Sequence, residues 1–308
     1  MRSRTSTYSF VALALCGILW GANLPVSKFL LQHFDIVPLT AVRTIIACLV
    51  LGVTLLVVEG KAALAIAVGG WRFTGLGILM GGFVLLYMLG IHWSDPISAA
   101  VVQVAAPIIA TVTVRVSTGA KLDPGFGLGL GLTVVGGLIL VCESLEVGRV
   151  NFGRGEATIL LSHVVWTLFS LKSQSWFAPG VSQLRRTLAA SLSMLMWTLL
   201  VWGLLWLFPD FAVLAGGAAS PLEVSSPLLW SQLVLIAAFA SGFAIYLWNS
   251  GASQVGVAVA SLWLNTVPLF AVLWAISYGY YPTAYQLAGG AVALAGVTYM
   301  QFRKVQLR

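Results

Sequence analysis

Apolar runs long enough to cross a bilayer recur ten times along this chain, most of them separated by short polar breaks. They fall at about 9–31, 37–58, 71–91, 97–116, 125–142, 156–177, 186–208, 228–249, 256–277 and 283–302. A bilayer-spanning helix needs roughly 20 mainly apolar residues. The chain is 59% hydrophobic and 8% charged, where a soluble domain carries about 25% charged residues. The expected fold is therefore all-α, a polytopic membrane protein of ten transmembrane helices.

Charge placement sets an orientation. With the N-terminus inside, the inner segments hold Arg2, Arg4, Lys61, Arg72, Arg115, Lys121, Arg185, Arg186, Arg303, Lys304 and Arg308, whereas the outer loops hold Arg149 and Arg154. Lys and Arg accumulate on the cytoplasmic side of membrane proteins, so both termini are expected in the cytoplasm and the protein in the cell inner membrane. The net charge of +7 is explained by that placement, and nucleic acid is not an expected partner. The three cysteines, Cys16, Cys48 and Cys142, lie in separate spans without metal-ligand spacing, which argues against a disulfide framework. The first apolar run continues past Trp20 without a small-residue cleavage site, so it reads as a retained first helix. Leu15, directly before Cys16, is too large for a lipidation box. The stretch 210–226, rich in Gly, Ala, Ser and Pro, reads as a surface loop.

The fourth span returns as the ninth. Residues 97–116 carry Gln103 and Pro107 near the middle, and 256–277 carry Asn265 and Pro268. A glycine precedes each proline by 17 residues (Gly90, Gly251), and the next span of each copy holds glycines seven apart, Gly129 with Gly136 and Gly289 with Gly296. Two repeats follow, 1–147 and 148–308, forming one integrated membrane domain. Five helices per copy is an odd number, so the second copy enters from the opposite side. Such inverted repeats commonly hold substrate near the midplane where the halves meet. Two five-helix halves suffice to close a cavity within one chain, which is compatible with a monomer.

Trp20-Gly21-x-Asn23 followed by Lys28 and Arg43, the small-residue runs ending in Pro107 and Pro268, the glycine-spaced helix after each, and Tyr246-Leu-Trp248-Asn249 with Gly251 together resemble the drug/metabolite transporter superfamily, in particular its bacterial ten-helix EamA-type members. The resemblance covers nearly the whole chain. It implies efflux or exchange of a small metabolite, with amino acids, aromatic ones included, prominent among family substrates. One departure is clear. Family members often carry Leu-Gly-Glu after the proline helix, and here the corresponding stretches read Ser117-Thr-Gly-Ala-Lys121 and Ser277-Tyr-Gly-Tyr-Tyr281, which leaves any role of that acid without a carrier.

Candidate site residues come from polarity and aromaticity at membrane depth. All nine acids lie in loops or near span ends, which argues against a mid-membrane carboxylate relay. A passive carrier or exchanger, coupling through a histidine, and coupling through the substrate's own charge stay open. Lys28 can snorkel to the headgroups or serve a gate. Arg43 lies deeper and can either hold helix-end carbonyls or attract an anionic group. His163, the best-placed titratable group, reads as either a hydrogen-bonded core histidine or a substrate contact or proton carrier. Asn23, Gln103 and Asn265 can link helices or bind substrate. Trp20, Tyr87, Trp166, Phe169, Tyr246 and Trp263 can pack the core or line an aromatic cavity. Pro107 and Pro268 each remove a backbone donor, and freed backbone at membrane depth must be covered or face a wet cavity. These two helices are expected to bend there as gates exchange, with Gln103–Pro107 facing Asn265–Pro268 across the cavity.

The function read from these features is a secondary transporter, an exporter of amino acids or related compounds by alternating access through an aromatic-lined cavity. The expected partners are a small-molecule substrate and the lipid bilayer; no cofactor, metal or catalytic group is expected. Export of cationic drugs or of a nucleotide- or sugar-type metabolite is the alternative within transport, and a membrane-embedded enzyme or scaffold is the alternative outside it.

Overall fold

In the computed structural model, the described residues are 2–65, 68–94, 102–122, 125–146, 153–208, 210, 221, 224–276, 281 and 283–306. They form ten helical units: α1 (Arg2–Leu30), α2 (Ile36–Glu59), α3 (Gly70–Trp93), α4 (Ala106–Thr118), α5 (Phe126–Glu146), α6 (Arg154–Ser175), α7 (Gln183–Leu207), α8 (Pro227–Val255), α9 (257–275) and α10 (Ala284–Gln306). A short 3-10 turn, Lys61–Leu64, follows α2. Spans within α1, α2, α3, α7 and α8 are each long and apolar enough to cross a membrane, and α4, α5 and α9 contribute shorter apolar helices. The protein is a multi-pass membrane protein. Its outer surface is correspondingly apolar, with Leu49, Val57, Val116, Leu207 and Leu228 exposed. Ser162, Thr167, Thr187, Asn249 and Asn265 are buried.

Two helices are not uniform. In α8 the segment Ala237–Phe243 is wound as a π-helix between α-helical Pro227–Ile236 and Ala244–Val255. In α9 an α-turn over Val257–Ser261 gives way to a 3-10 stretch, Leu262–Thr266, before α-helix resumes at Val267–Ala275. Pro268 sits at the start of that resumed segment, and Pro107 occupies the same position at the start of α4, just after a turn at residues 104–105. Proline is tolerated at a helix start because its missing N–H would lack an intrahelical partner there anyway. The breaks therefore lie immediately before each proline. Residues 97–101 of the fourth span fall outside the described set, as does the repeat boundary expected at 147.

The principal pairings between the first five helices and the last five follow one rule. Helix α1 packs on α8 and α9, α3 on α6 and α7, α2 on α7 and α8, α4 on α6 and α9, and α5 on α10. Moving every helix number by five returns the same set. The α5–α10 contact shows how sequence builds it. A Cβ on Gly136 would run into the backbone of Gly289 and Ala293, and a Cβ on Gly296 would run into the Gly129 carbonyl and the side chains of Leu132 and Thr133. Rising numbers on one helix meet falling numbers on the other, so the pair is antiparallel. The glycines seven residues apart in each copy face each other, and small residues let the two backbones approach.

Charge at the helix ends is also placed. The Glu156 carboxylate accepts from the Gly153 N–H at 2.8 Å and from the Ser94 hydroxyl, tying the end of α3 to the positive start of α6. At the opposite end of α6, Arg186 donates to the carbonyls of Gln174 (3.1 Å) and Val181 (3.0 Å).

Candidate functional site

The candidate site is a cavity of about 130 Å³. Each wall follows from helical spacing. Trp20 and Asn23 are three apart on α1; Thr40, Arg43, Thr44 and Ala47 run down one side of α2; Phe83 and Tyr87 are four apart on α3; His163 and Trp166 are three apart on α6. Residues at these spacings share a helix face. Ser191 and Met194 from α7, and Ala240, Ser241 and Ile245 from α8, complete the ring, and Gln103 with Ala106 and Leu264 with Val267 close it from the proline-broken helices.

Arg43 supplies the charge. It is 7% exposed and fans out over neutral groups: Nη1 donates to Ser27 Oγ (2.9 Å), Nη2 to Asn23 Oδ1 (2.8 Å) and Ser241 Oγ (2.9 Å), and Nε to Ser241 Oγ (3.2 Å). Ser27 in turn donates to Asn23 Oδ1 at 2.9 Å. The π-helical turn of α8 matters here because it carries both Ser241 and Ala240, whose carbonyl accepts from Trp20 Nε1 at 3.1 Å. π-turns of this kind are frequent at functional sites.

Across from this network lie rings and donors. Trp166 packs against Phe83 (4.7 Å between ring centroids), Phe169 (5.3 Å), Trp20 (5.5 Å) and Trp248 (5.5 Å). The Tyr87 ring meets the His163 ring at 6.2 Å, and the Gln103 side chain hydrogen-bonds Tyr87. Both ring nitrogens of His163, Nε1 of Trp166 and Oγ of Ser191 are buried without a hydrogen-bond partner among the described residues. Buried polar atoms in native structures ordinarily have partners. Four unpartnered atoms lie on three residues of the cavity lining, which gives that side of it hydrogen-bonding capacity.

The structure brings Trp20, Asn23, Arg43, Tyr87, Gln103, His163 and Trp166 together on the wall. Four other expected substrate contacts are elsewhere. Phe169 is fully buried behind Trp166. Trp263 is buried edge-on against Phe10, with centroids 5.0 Å apart. The Tyr246 hydroxyl lies 3.5 Å from that of Tyr8 and away from the cavity. Asn265 does not face Gln103 across a cavity; its Nδ2 donates to the carbonyls of Val104 (3.3 Å) and Thr133 (3.0 Å), fastening α9 to α4 and α5. Leu264 and Val267, three apart, share the face turned to the cavity, and Asn265, the neighbour of Leu264, points off that face. Helices α4 and α9 thus touch each other beside the cavity, and Pro107 and Pro268 do not line it. The side chain of Lys28 lies outside the described residues. Ser27, Ser191 and Ser241 were not among the expected residues; a serine in an apolar, small-residue run is too common to single out by type.

Below the cavity, α6, α7 and α8 are laced by polar contacts. Asn249 Nδ2 donates to Thr187 Oγ1 (3.0 Å), Ser173 Oγ donates to Asn249 Oδ1 (3.3 Å), Gln174 Nε2 donates to the Asn249 carbonyl (3.2 Å), and Trp248 Nε1 donates to Ser170 Oγ (3.0 Å).

Comparison with known proteins agrees with this architecture. The chain is 21% identical to the Bacillus subtilis (strain 168) uncharacterized transporter YyaM, over 94% of the chain and 92% of the relative. It is 23% identical to the uncharacterized transporter YetK of the same organism, over 86% of the chain and 78% of the relative. A solved crystal structure superposes with a TM-score of 0.76 at 18% identity, covering 100% of both chains, which establishes the shared fold. The EamA-like transporter family model matches twice, at residues 7–142 and 156–301. With both halves matched over nearly their full length, the chain belongs to the EamA-like transporter family.

Proposed function

We propose that this protein is a secondary transporter of the cell inner membrane that exports small carboxylate-bearing metabolites, amino acids or related compounds, by alternating access through the cavity between its halves. One observation carries the substrate class: the charge on the cavity wall is a buried guanidinium whose partners, among the described residues, are all neutral. Stripping a cation of water is costly unless an anion compensates, and a carboxylate oxygen can accept a charge-assisted bond from the guanidinium. The aromatic wall suits the apolar part of such a molecule.

The direction follows from the orientation set by Lys and Arg, with both termini cytoplasmic. The wall residues then lie in the outer halves and middle of their helices, and the polar contacts around Asn249 lie on the cytoplasmic side. That supports a carrier sealed toward the cytoplasm, with release outward. Export of organic cations ranks below because the wall offers a cation where such a substrate needs an anion. Kinship with transporters supports a carrier over a membrane-embedded enzyme.

Flux of carboxylates in proteoliposomes tests the proposal. Trp166→Ala and Arg43→Lys, each verified as folded, are expected to lower transport by about tenfold or more, because lysine keeps the charge and loses the fork. Unchanged flux in both variants would remove this cavity from the transport path.

A further inference from the structure

The same cavity has a second pole, and the two poles together exclude a class of ligand. The Arg43 network belongs to α1, α2 and α8, whereas the unpartnered polar atoms of the wall belong to α6 and α7. Arg43 itself retains capacity. A guanidinium has five N–H donors, and four are engaged by Ser27, Asn23 and Ser241, which leaves one on Nη1. Both Arg43 and His163 are 7% exposed, Trp166 is 3% exposed and Ser191 1% exposed. Nothing on the described wall is acidic: its charged or titratable members are Arg43, Tyr87 and His163. Trp20, Phe83, Phe169 and Trp248 surround Trp166, and Trp20 also packs on Trp248 at 5.5 Å.

We propose that the cavity selects a monoanionic amphipathic organic acid, with its carboxylate at Arg43 and a neutral hydroxyl or carbonyl on its apolar body meeting His163, Trp166 and Ser191, and discriminates against ligands that also carry an ammonium group. This rests on reading the cavity as the substrate site, and narrows the carboxylate-bearing metabolites proposed above to those without an amine. The physical reason is desolvation. The carboxylate exchanges water for a charge-assisted bond, and a phenol or carbonyl satisfies atoms that are otherwise orphaned. An ammonium entering the same space loses its water, meets no carboxylate and is repelled by Arg43.

Four ligands of one shape separate these terms: 3-(4-hydroxyphenyl)propionate, its neutral amide 3-(4-hydroxyphenyl)propanamide, tyrosine and tyramine. A fifth, 3-phenylpropionate, lacks the distal hydroxyl. Binding to the purified full-length protein in detergent is read by calorimetry, so no transport-competent variant is required. The hydroxyphenyl acid is expected to bind about tenfold or more tightly than tyrosine, tyramine or the amide, and several-fold more tightly than 3-phenylpropionate. His163→Phe is expected to remove the advantage over 3-phenylpropionate and to leave the advantage over tyramine. Tyrosine binding as tightly as the hydroxyphenyl acid would overturn the exclusion of zwitterions while leaving the carboxylate site standing. The amide binding as tightly as the acid, or none of the five binding, would overturn both.

Discussion

At the scale of single residues, depth in the membrane was readable and direction around the helix was only partly so. Trp20 with Asn23, and His163 with Trp166, are three apart on regular α-helix, so locating one locates the other, and all four reach the cavity. Asn265 has the right depth and the wrong azimuth: the face of its helix that reaches the cavity carries Leu264 and Val267, which their residue types do not single out. Its observed role makes a distinct prediction. Asn265→Leu removes the bonds to the Val104 and Thr133 carbonyls and is expected to cost about 1–2 kcal/mol of stability, seen as a lower midpoint in thermal unfolding of the purified protein. Ligand affinity is expected to stay within about twofold, since the side chain does not line the cavity. A large loss of affinity without a loss of stability would return Asn265 to the site. Arg43 is the reverse case: its depth suggested either helix-end carbonyls or an anion, and the structure gives it side-chain oxygens of two other helices, α1 and α8, which sequence order alone does not bring together.

Helices are the next scale, where the repeated glycines were legible but their partners were not. Spacing of seven puts Gly129 and Gly136 on one face of α5, and Gly289 with Gly296 on one face of α10; only the fold shows that these faces meet, antiparallel. The prediction is a contrast within one helix. Gly136→Val drives a branched side chain into the backbone of Gly289 and Ala293, with no flexible side chain to yield, and is expected to abolish recovery of monodisperse protein. Gly131→Ala on the same helix meets nothing within 4 Å. It is expected to be neutral or slightly stabilising, since alanine is the better helix former by about 1 kcal/mol. Size-exclusion profiles of the two variants check this, and equal profiles would mean that α5 and α10 do not approach as closely as described. In α8 no composition cue marks the π-turn; Ala-Ala-Phe-Ala-Ser-Gly-Phe reads as ordinary packing surface, yet it aims Ser241 at Arg43.

For the whole molecule, ten apolar runs were enough to anticipate the helix count. The pairing rule among helices, unchanged on moving each number by five, is what two related halves produce. The cavity itself was not legible, because it is a property of side chains that come together from several helices at once. Orientation is tested separately: reporters fused to either terminus are expected to be cytoplasmic, and protection of a C-terminal reporter from the cytoplasmic side would reverse the direction of export.

Alternating access through the cavity is tested most directly by a cysteine placed at Ser241 after Cys16, Cys48 and Cys142 are replaced. Membrane-impermeant thiol reagent is applied to right-side-out and to inside-out vesicles. Ser241→Cys is expected to react from both faces, at different rates, and to be protected from both by a bound carboxylate substrate. Reaction from one face alone, unchanged by substrate, would contradict a carrier that opens this cavity to each side in turn.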